Sequence, residues 1–365
     1  MTTIKDVIEV LEDFAPPQYQ ESYDNSGLIV GDPNTKLSSI LVCLDSIEEV
    51  IDEAITLKCN LVVAHHPIIF QGLKRINGAN YIERTIIKAI KNDIAIYAIH
   101  TNLDNVKNGV NKKISDKLGL LNTKILSPKA STLEKLVTFI PNENYDAVLQ
   151  SLFDAGAGAI GNYSECSFTV DGQGTFKGNE FSEPQKGQKG KREMVQEKRV
   201  ELIFDKSKRS TILKALFNNH PYEEVAYDIY PISNQNQEIG SGMIGDLSKK
   251  CAEIDFLKDL KSKMTCASVR HTELLGNSVT KVAVCGGSGS FLLETAKSAG
   301  AQVFVTADFK YHQFFDSDGK ILIADIGHFE SEHFTIELIA ELLEQKFSNF
   351  GVRLTRVNTN PVKYL

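Results

Sequence analysis

The 365-residue chain has no tryptophan, four methionines and no surplus of positive charge, with 40 lysines and arginines against 47 aspartates and glutamates. A formal charge of -7 gives no overall attraction to a phosphate backbone, so nucleic-acid binding by bulk electrostatics is excluded and any anion site must be local. Nor is there a run approaching the roughly 20 apolar residues that a bilayer span needs, which excludes membrane insertion. The amino terminus from Met1 to Val10 reads as an amphipathic helix, without a basic flank, long apolar core or small-residue cleavage site, so a cytoplasmic location is expected. Cys43, Cys59, Cys166, Cys251, Cys266 and Cys285 are scattered, lack C-x-x-C spacing and mostly have apolar neighbours. They are expected to be reduced core residues rather than a disulfide frame or a thiolate zinc site.

What is present is an ordinary globular composition, 42% hydrophobic and 24% charged. At roughly 100–200 residues per domain, this length predicts two or three domains. From Ser39 to about Leu121 the pattern alternates. Strands are expected at Ile40–Leu44, Leu61–Ala64 and Ile94–Ile99, with helices at Ile47–Leu57, Tyr81–Lys91 and Val106–Leu118. The carboxyl-terminal part repeats the order, with strands at Lys281–Cys285, Gln302–Val305 and Ile321–Asp325 and helices at Phe291–Ser298 and Glu332–Lys346. Such alternation is the signature of a parallel sheet with crossover helices, and the two ends read as halves of one duplicated α/β core. Between them, two strand-helix-strand units run in tandem, Lys135 to Val170 and Arg199 to Pro231, which predicts a ferredoxin-like α+β insertion. The expected organisation is therefore a core of 1–127 with 241–365, and an inserted domain of 128–240. Gly172 to Arg199, rich in Gly, Gln and Lys, reads as a flexible excursion. The basic stretch Lys186 to Arg209 reads as a solvated hairpin, with a docking surface for an anion or partner as the alternative.

Chemistry concentrates at strand ends. His65 and His66 follow the apolar run Leu61–Ala64, at the carboxyl edge where open α/β sheets place ligands. His100 and Asp104 follow one strand, and His328 and Glu332 follow another, each an imidazole and a carboxylate four residues apart in equivalent positions of the two halves. Either spacing alone is compatible with capping or helix-dipole roles; the duplication raises its significance. Imidazole and carboxylate ligands suit zinc, iron or manganese. His65, His66, Asp104, His328 and Glu332 are enough for two divalent ions about 3.5–4 Å apart with a bridging carboxylate. His100 is either a further ligand or a residue that orients one. The glycine run Gly286, Gly287, Ser288, Gly289 and Ser290 lies between a strand and a helix, where backbone N–H groups can face a phosphate or carboxylate. It lacks the lysine of a P-loop, and a tight turn is the competing reading. Asp308 and His312 follow a further strand and are candidate acid/base groups. Neither H-E-x-x-H nor H-x-x-E-H occurs, which disfavours those peptidase classes.

Glu21 to Gly31, Val63 to Pro67, His100 to Asp104, Gly286 to Ser290 and Gly327 to Glu332 together resemble the NIF-three-like family, whose bacterial members are often labelled GTP cyclohydrolase I type 2 homologues. The resemblance runs through essentially the whole chain. Tyr23 departs from it, standing where the family often has tryptophan. The resemblance implies a dinuclear site at His65, His66, Asp104, His328 and Glu332, with zinc or iron as usual candidates. It also implies a ring-shaped homohexamer and an insertion similar to small nitrogen-regulatory and copper-tolerance proteins. Hydrolytic opening of a purine nucleotide ring is the activity the label implies, with the glycine run holding the triphosphate. The alternative is a metal-binding regulatory or metal-handling protein without turnover.

Overall fold

The structure is a computed structural model that describes residues 2–365. It divides into two compact units, Met1–Pro128 with Glu238–Leu365, and Lys129–Gln237.

The first unit contains two mixed sheets. One orders its strands Gly27–Val30, Ala95–Ala98, Leu61–His66, Ser39–Asp45 and Gly351–Leu354, and all but the first run parallel to their neighbours. The other orders Arg270–His271, Leu322–Asp325, Val303–Ala307, Ser278–Ser288, Gly240–Ala252 and Leu120–Pro128, with a parallel trio in the middle. Ile40 to Leu44 and Leu61 to Ala64 are buried without interruption, as expected for parallel strands covered on both faces. The halves exchange edges. Gly351–Leu354, near the carboxyl terminus, pairs with Ser39–Val42 in the first sheet, while Leu120–Pro128 pairs with Gly240–Leu247 in the second. Neither sheet is complete without chain from the other half.

Several expected helices are cut short. Val106–Leu118 is helical only over Val110–Leu118, and a separate turn of helix covers Thr101–Asn105. Val106 is extended and bridges to Ile239, and a Cβ at Gly109 would sit 1.8 Å from the Leu103 carbonyl oxygen, so the chain folds back too tightly to stay helical. The helix expected over Glu332–Lys346 divides into His328–Glu332 and Thr335–Lys346. Phe291–Ser298 is a single turn of 3-10 helix followed by six helical residues, Leu293–Ser298. Tyr81–Lys91 forms as expected, capped by the Asn80 side chain, which accepts the Glu83 N–H at 2.9 Å.

The second unit has four antiparallel strands in the order Phe168–Lys177, Arg192–Asp205, Leu133–Pro141 and Tyr227–Ile232. Helices Tyr145–Asp154 and Arg209–Asn219 pack on one face through Val148, Leu152, Ile212 and Leu216. This is the β-α-β-β-α-β order of a ferredoxin-like module. Gly172 to Arg199 is strand at both ends, and only residues 178–191 between them lie outside regular structure. Phe168–Lys177 and Arg192–Glu201 pair in unbroken register, so backbone hydrogen bonds supply the order that the polar side chains did not announce.

Candidate metal centre

The polar side chains of the first unit's centre stand at the carboxyl ends of parallel strands. Asp45 and His66 end neighbouring strands and are partners in register. His100 precedes the helical turn after Ala95–Ala98, Asp308 follows Val303–Ala307, and His328 opens the turn after Leu322–Asp325.

Each of four imidazoles is fixed through Nδ1. His65 is fully buried, with Nδ1 2.8 Å from the Ile99 carbonyl oxygen. His66 Nδ1 lies 2.7 Å from Asp45 Oδ1, His100 Nδ1 2.7 Å from Asp24 Oδ1, and His328 Nδ1 2.6 Å from Asp308 Oδ2. Three Nε2 atoms are thereby aimed at Glu332, whose Oε2 is 3.0 Å from those of His66 and His328 and 4.0 Å from that of His65. His65 Nε2 also faces Asp104 Oδ1 at 3.6 Å. Both atoms are buried and have no hydrogen-bond partner among the described residues. A buried polar group left without a partner costs about 1–3 kcal/mol. Two such atoms facing each other, too far apart to bond, mark a place shaped for something held between them.

Donor atoms gather into three groups, His65 with His66 and His100, His66 with His328 and Glu332, and His65 with Asp104 and Glu332, each within 4.8 Å. Imidazole and carboxylate donors, with each ring held by a carbonyl or carboxylate on its other nitrogen, form the donor set that first-row divalent metals take. The residues present therefore fit such an ion.

Electrostatics point the same way. Burial holds His65 down to about 3, so it is a neutral donor. Burial opposes charge on His66 as well, but Asp45 and Glu332 overcome it and raise that imidazole to about 9. The charge of Glu332 is the main cause that raises His328 to about 11. Burial and the neighbouring Glu332 push Asp104 well up. The cationic His66 and His328 in turn hold the buried Glu332 carboxyl well down, so without an ion these imidazoles supply the positive charge that faces it.

The structure brings His65, His66, Asp104, His328 and Glu332 together, with His100 beside them. At its first two residues the glycine run is tied to neighbouring side chains. The Gly286 N–H donates to Asn111 Oδ1 at 3.0 Å and the Gly287 N–H to Ser331 Oγ at 2.9 Å, so neither is free for a phosphate. Gly287 has φ +57, and a Cβ there would lie 2.4 Å from Glu332 Oε1. The run passes against the carboxylate. Asp308 touches the centre through His328, while His312 is exposed and packs with Tyr311 and Phe315, away from the cluster. Sequence reasoning passed over Asp45 and Thr359, whose hydroxyl donates to Asp45 Oδ2 at 2.6 Å. The role of Asp45 follows from the pairing of its strand with that of His66.

The centre opens into a cavity of about 790 Å³ lined by Tyr23, Phe70, Phe291, Arg270, Asp308 and Tyr364 among others. No helix among the described residues is long and apolar enough to cross a membrane.

Residues 2–361 match the family model for Duf34/NIF3 (NGG1p interacting factor 3). A Halalkalibacterium halodurans protein named GTP cyclohydrolase 1 type 2 homolog is 39% identical over 365 residues, covering 98% of each chain. Its namesake in Bacillus subtilis is 38% identical, again over 98% of each. The crystal structure of a Bacillus cereus protein related to NIF3 has a TM-score of 0.88 at 38% identity, covering 100% of this chain and 99% of its own. A Staphylococcus aureus protein structure follows with a TM-score of 0.79 at 29% identity and the same coverage. With residues 2–361 matched by the family model and relatives and a solved structure covered nearly end to end, the chain belongs to the Duf34/NIF3 family.

Proposed function

We propose that the chain is a hydrolase dependent on two divalent metal ions, zinc foremost with iron or manganese as alternatives, held by His65, His66, Asp104, His328 and Glu332. The observation that carries this reading is the pair of buried, unpartnered atoms, His65 Nε2 and Asp104 Oδ1, facing each other beside Glu332, where Asp104 and Glu332 line a large cavity. When bound, two such ions supply a water acidified to near neutral pH and electrophilic stabilisation of developing negative charge.

The chain's own residues do the rest. Asp45, Asp24, Asp308 and the Ile99 carbonyl hold the four imidazoles in one tautomer, with Nε2 turned inward. Glu332 lies between the rings of both halves of the core. The hydrogen bond to His328 lowers the Asp308 carboxyl, which stays ionised at neutral pH and orients that ring. Substrate enters from the aromatic side of the cavity. The names of the relatives support a purine nucleotide or related heterocycle as substrate, opened by hydrolysis. A homohexameric ring is part of the proposal, and a persistent monomer in light scattering would remove it.

A second reading, metal-dependent regulation without turnover, is favoured by one feature. The Lys129–Gln237 unit has its own cavity of about 610 Å³ beside the hairpin, lined by Phe176, Glu197, Arg199 and Tyr222. A screen of nucleosides and nucleotides with metal-replete protein and with His66→Ala separates the two. Turnover that requires His66 supports the hydrolase, and full metal content without such turnover supports regulation.

A further inference from the structure

The cavity over the centre is poor in the groups that hold phosphates. Among its lining residues are five carboxylates beyond Asp104 and Glu332, namely Glu21, Asp45, Asp308, Asp325 and Glu330; Arg270 is its one guanidinium, and no lysine lines it. Arg270 has its Nη2 already engaged and its charge set against Asp325. It pairs with the buried Asp325, donates to the Phe309 carbonyl oxygen at 3.1 Å and lies over the Phe314 ring at 5.4 Å. Two divalent ions would bring four positive charges, half of them cancelled by Asp104 and Glu332, and Asp45 and Asp308 hold His66 and His328. The carboxylates of the lining thus outnumber its cations even with both ions counted, and a chain of phosphates would add to that excess. In the glycine run the Gly286 and Gly287 N–H groups are taken by Asn111 and Ser331, and the helix after it has only six residues.

Aromatic surface is plentiful instead. Tyr23 is 64% exposed, Phe70 47% and Phe291 66%, and all three line the cavity. The Tyr23 and Phe70 ring centroids are 6.2 Å apart, Phe70 is 6.2 Å from His100, and His100 is 5.4 Å from both His65 and His66. A continuous path of rings leads from the cavity wall to the candidate ligands. Exposed aromatic faces grouped in a concave site mark a surface that a flat ligand covers.

Resting on the hydrolase reading above, we propose that the ligand of this cavity is a flat heterocycle carrying at most one phosphoryl group, of the nucleoside or nucleoside monophosphate class, and not a nucleoside triphosphate. The ring system packs against the face of Tyr23 or of Phe70, whose rings are tilted to each other, and a single phosphoryl group adds the least charge to the acidic lining. Each further phosphate enters a net negative lining.

The test is calorimetric titration of the metal-replete chain with guanosine, GMP and GTP at fixed free divalent ion, with ion content measured on the same sample. GMP is expected to bind about tenfold more tightly than GTP, a gap that narrows as salt screens the lining. Phe70→Ala, or the milder Phe70→Leu, is expected to weaken guanosine by about tenfold through lost stacking. The inference is overturned if GTP binds more tightly than GMP, if none of the three binds, or if both Phe70 variants bind guanosine as wild type does. Should the chain take up no ion, the hydrolase reading falls, while the order of the three ligands on that sample still decides this inference.

Discussion

Substituting Gly287 by alanine probes how closely the backbone is built around Glu332. The residue has φ +57, and a Cβ there would stand 2.4 Å from Glu332 Oε1 and 3.2 Å from His328 Cε1. Left-handed backbone costs a non-glycine residue about 1–2 kcal/mol, which sets the expected loss of stability from conformation alone. The contact adds a second effect. Carbon atoms rest about 3.5–4 Å from their neighbours, so the Glu332 carboxylate must retreat by about 1 Å. Metal–ligand distances tolerate only about 0.2 Å, and disturbing the partners that orient ligands already lowers affinity about 10–100-fold. Gly287→Ala should therefore weaken ion binding by at least about tenfold, read by competition with a coloured chelator. Gly119→Ala is the control. Its φ is +75, but the nearest atom to its Cβ would be the Lys263 Nζ at 4.0 Å, so it should lose stability and keep affinity. Wild-type affinity in Gly287→Ala, with a melting loss like that of Gly119→Ala, would refute the reasoning.

Asp104→Asn removes a partly buried carboxyl that repels Glu332, and should stabilise the metal-free chain by about 1–3 kcal/mol in denaturant titration while weakening ion uptake. A destabilised metal-free variant would count against a site whose stability is spent on function. Thr359→Val deletes the bond to Asp45, which orients His66, and should weaken ion binding about tenfold in the chelator assay without altering the melt of the second unit. In the Lys129–Gln237 unit, burial lowers His220, whose ring faces the Phe139 carbonyl oxygen. The unfolded chain then takes up a proton first as pH falls below about 6.5, so stability is present above that pH and lost below it. Hydrogen exchange of Leu136, Val200 and Leu202 at pH 7.5 and 5.5 should show the loss, with a smaller pH effect in His220→Gln.

How much of this was legible depends on the range of the interactions. Ile40–Leu44 and Leu61–Ala64 are uninterrupted apolar runs because parallel strands are covered on both faces, so strands and their functional ends could be read locally. Gly240–Ala252 and Gly351–Leu354 alternate or lack apolar residues, and their place rests on pairing with chain far away in sequence, which no local pattern carries. Phe168–Lys177 is exposed along most of its length and owes its order to the ladder with Arg192–Glu201. At the centre, spacing made the histidines and acids visible, since a helical turn after a strand puts residues four apart on one side. It could not reveal Asp45, whose role comes from register with His66 on the neighbouring strand. His312 looked equivalent to Asp308 by sequence, yet the turn of 3-10 helix Tyr311–Ser317 carries it outward. The glycine run resembled a phosphate loop because close approach to a carboxylate and close approach to an anionic ligand demand the same residue.

The central claim is that His65, His66, Asp104, His328 and Glu332 hold two ions. Anomalous scattering from crystals of the zinc-replete chain, recorded at the zinc edge, tests it most directly. Two peaks per chain are predicted, one among His65, Asp104 and Glu332 and one among His66, His328 and Glu332. A single peak, or peaks away from these side chains, would contradict the account.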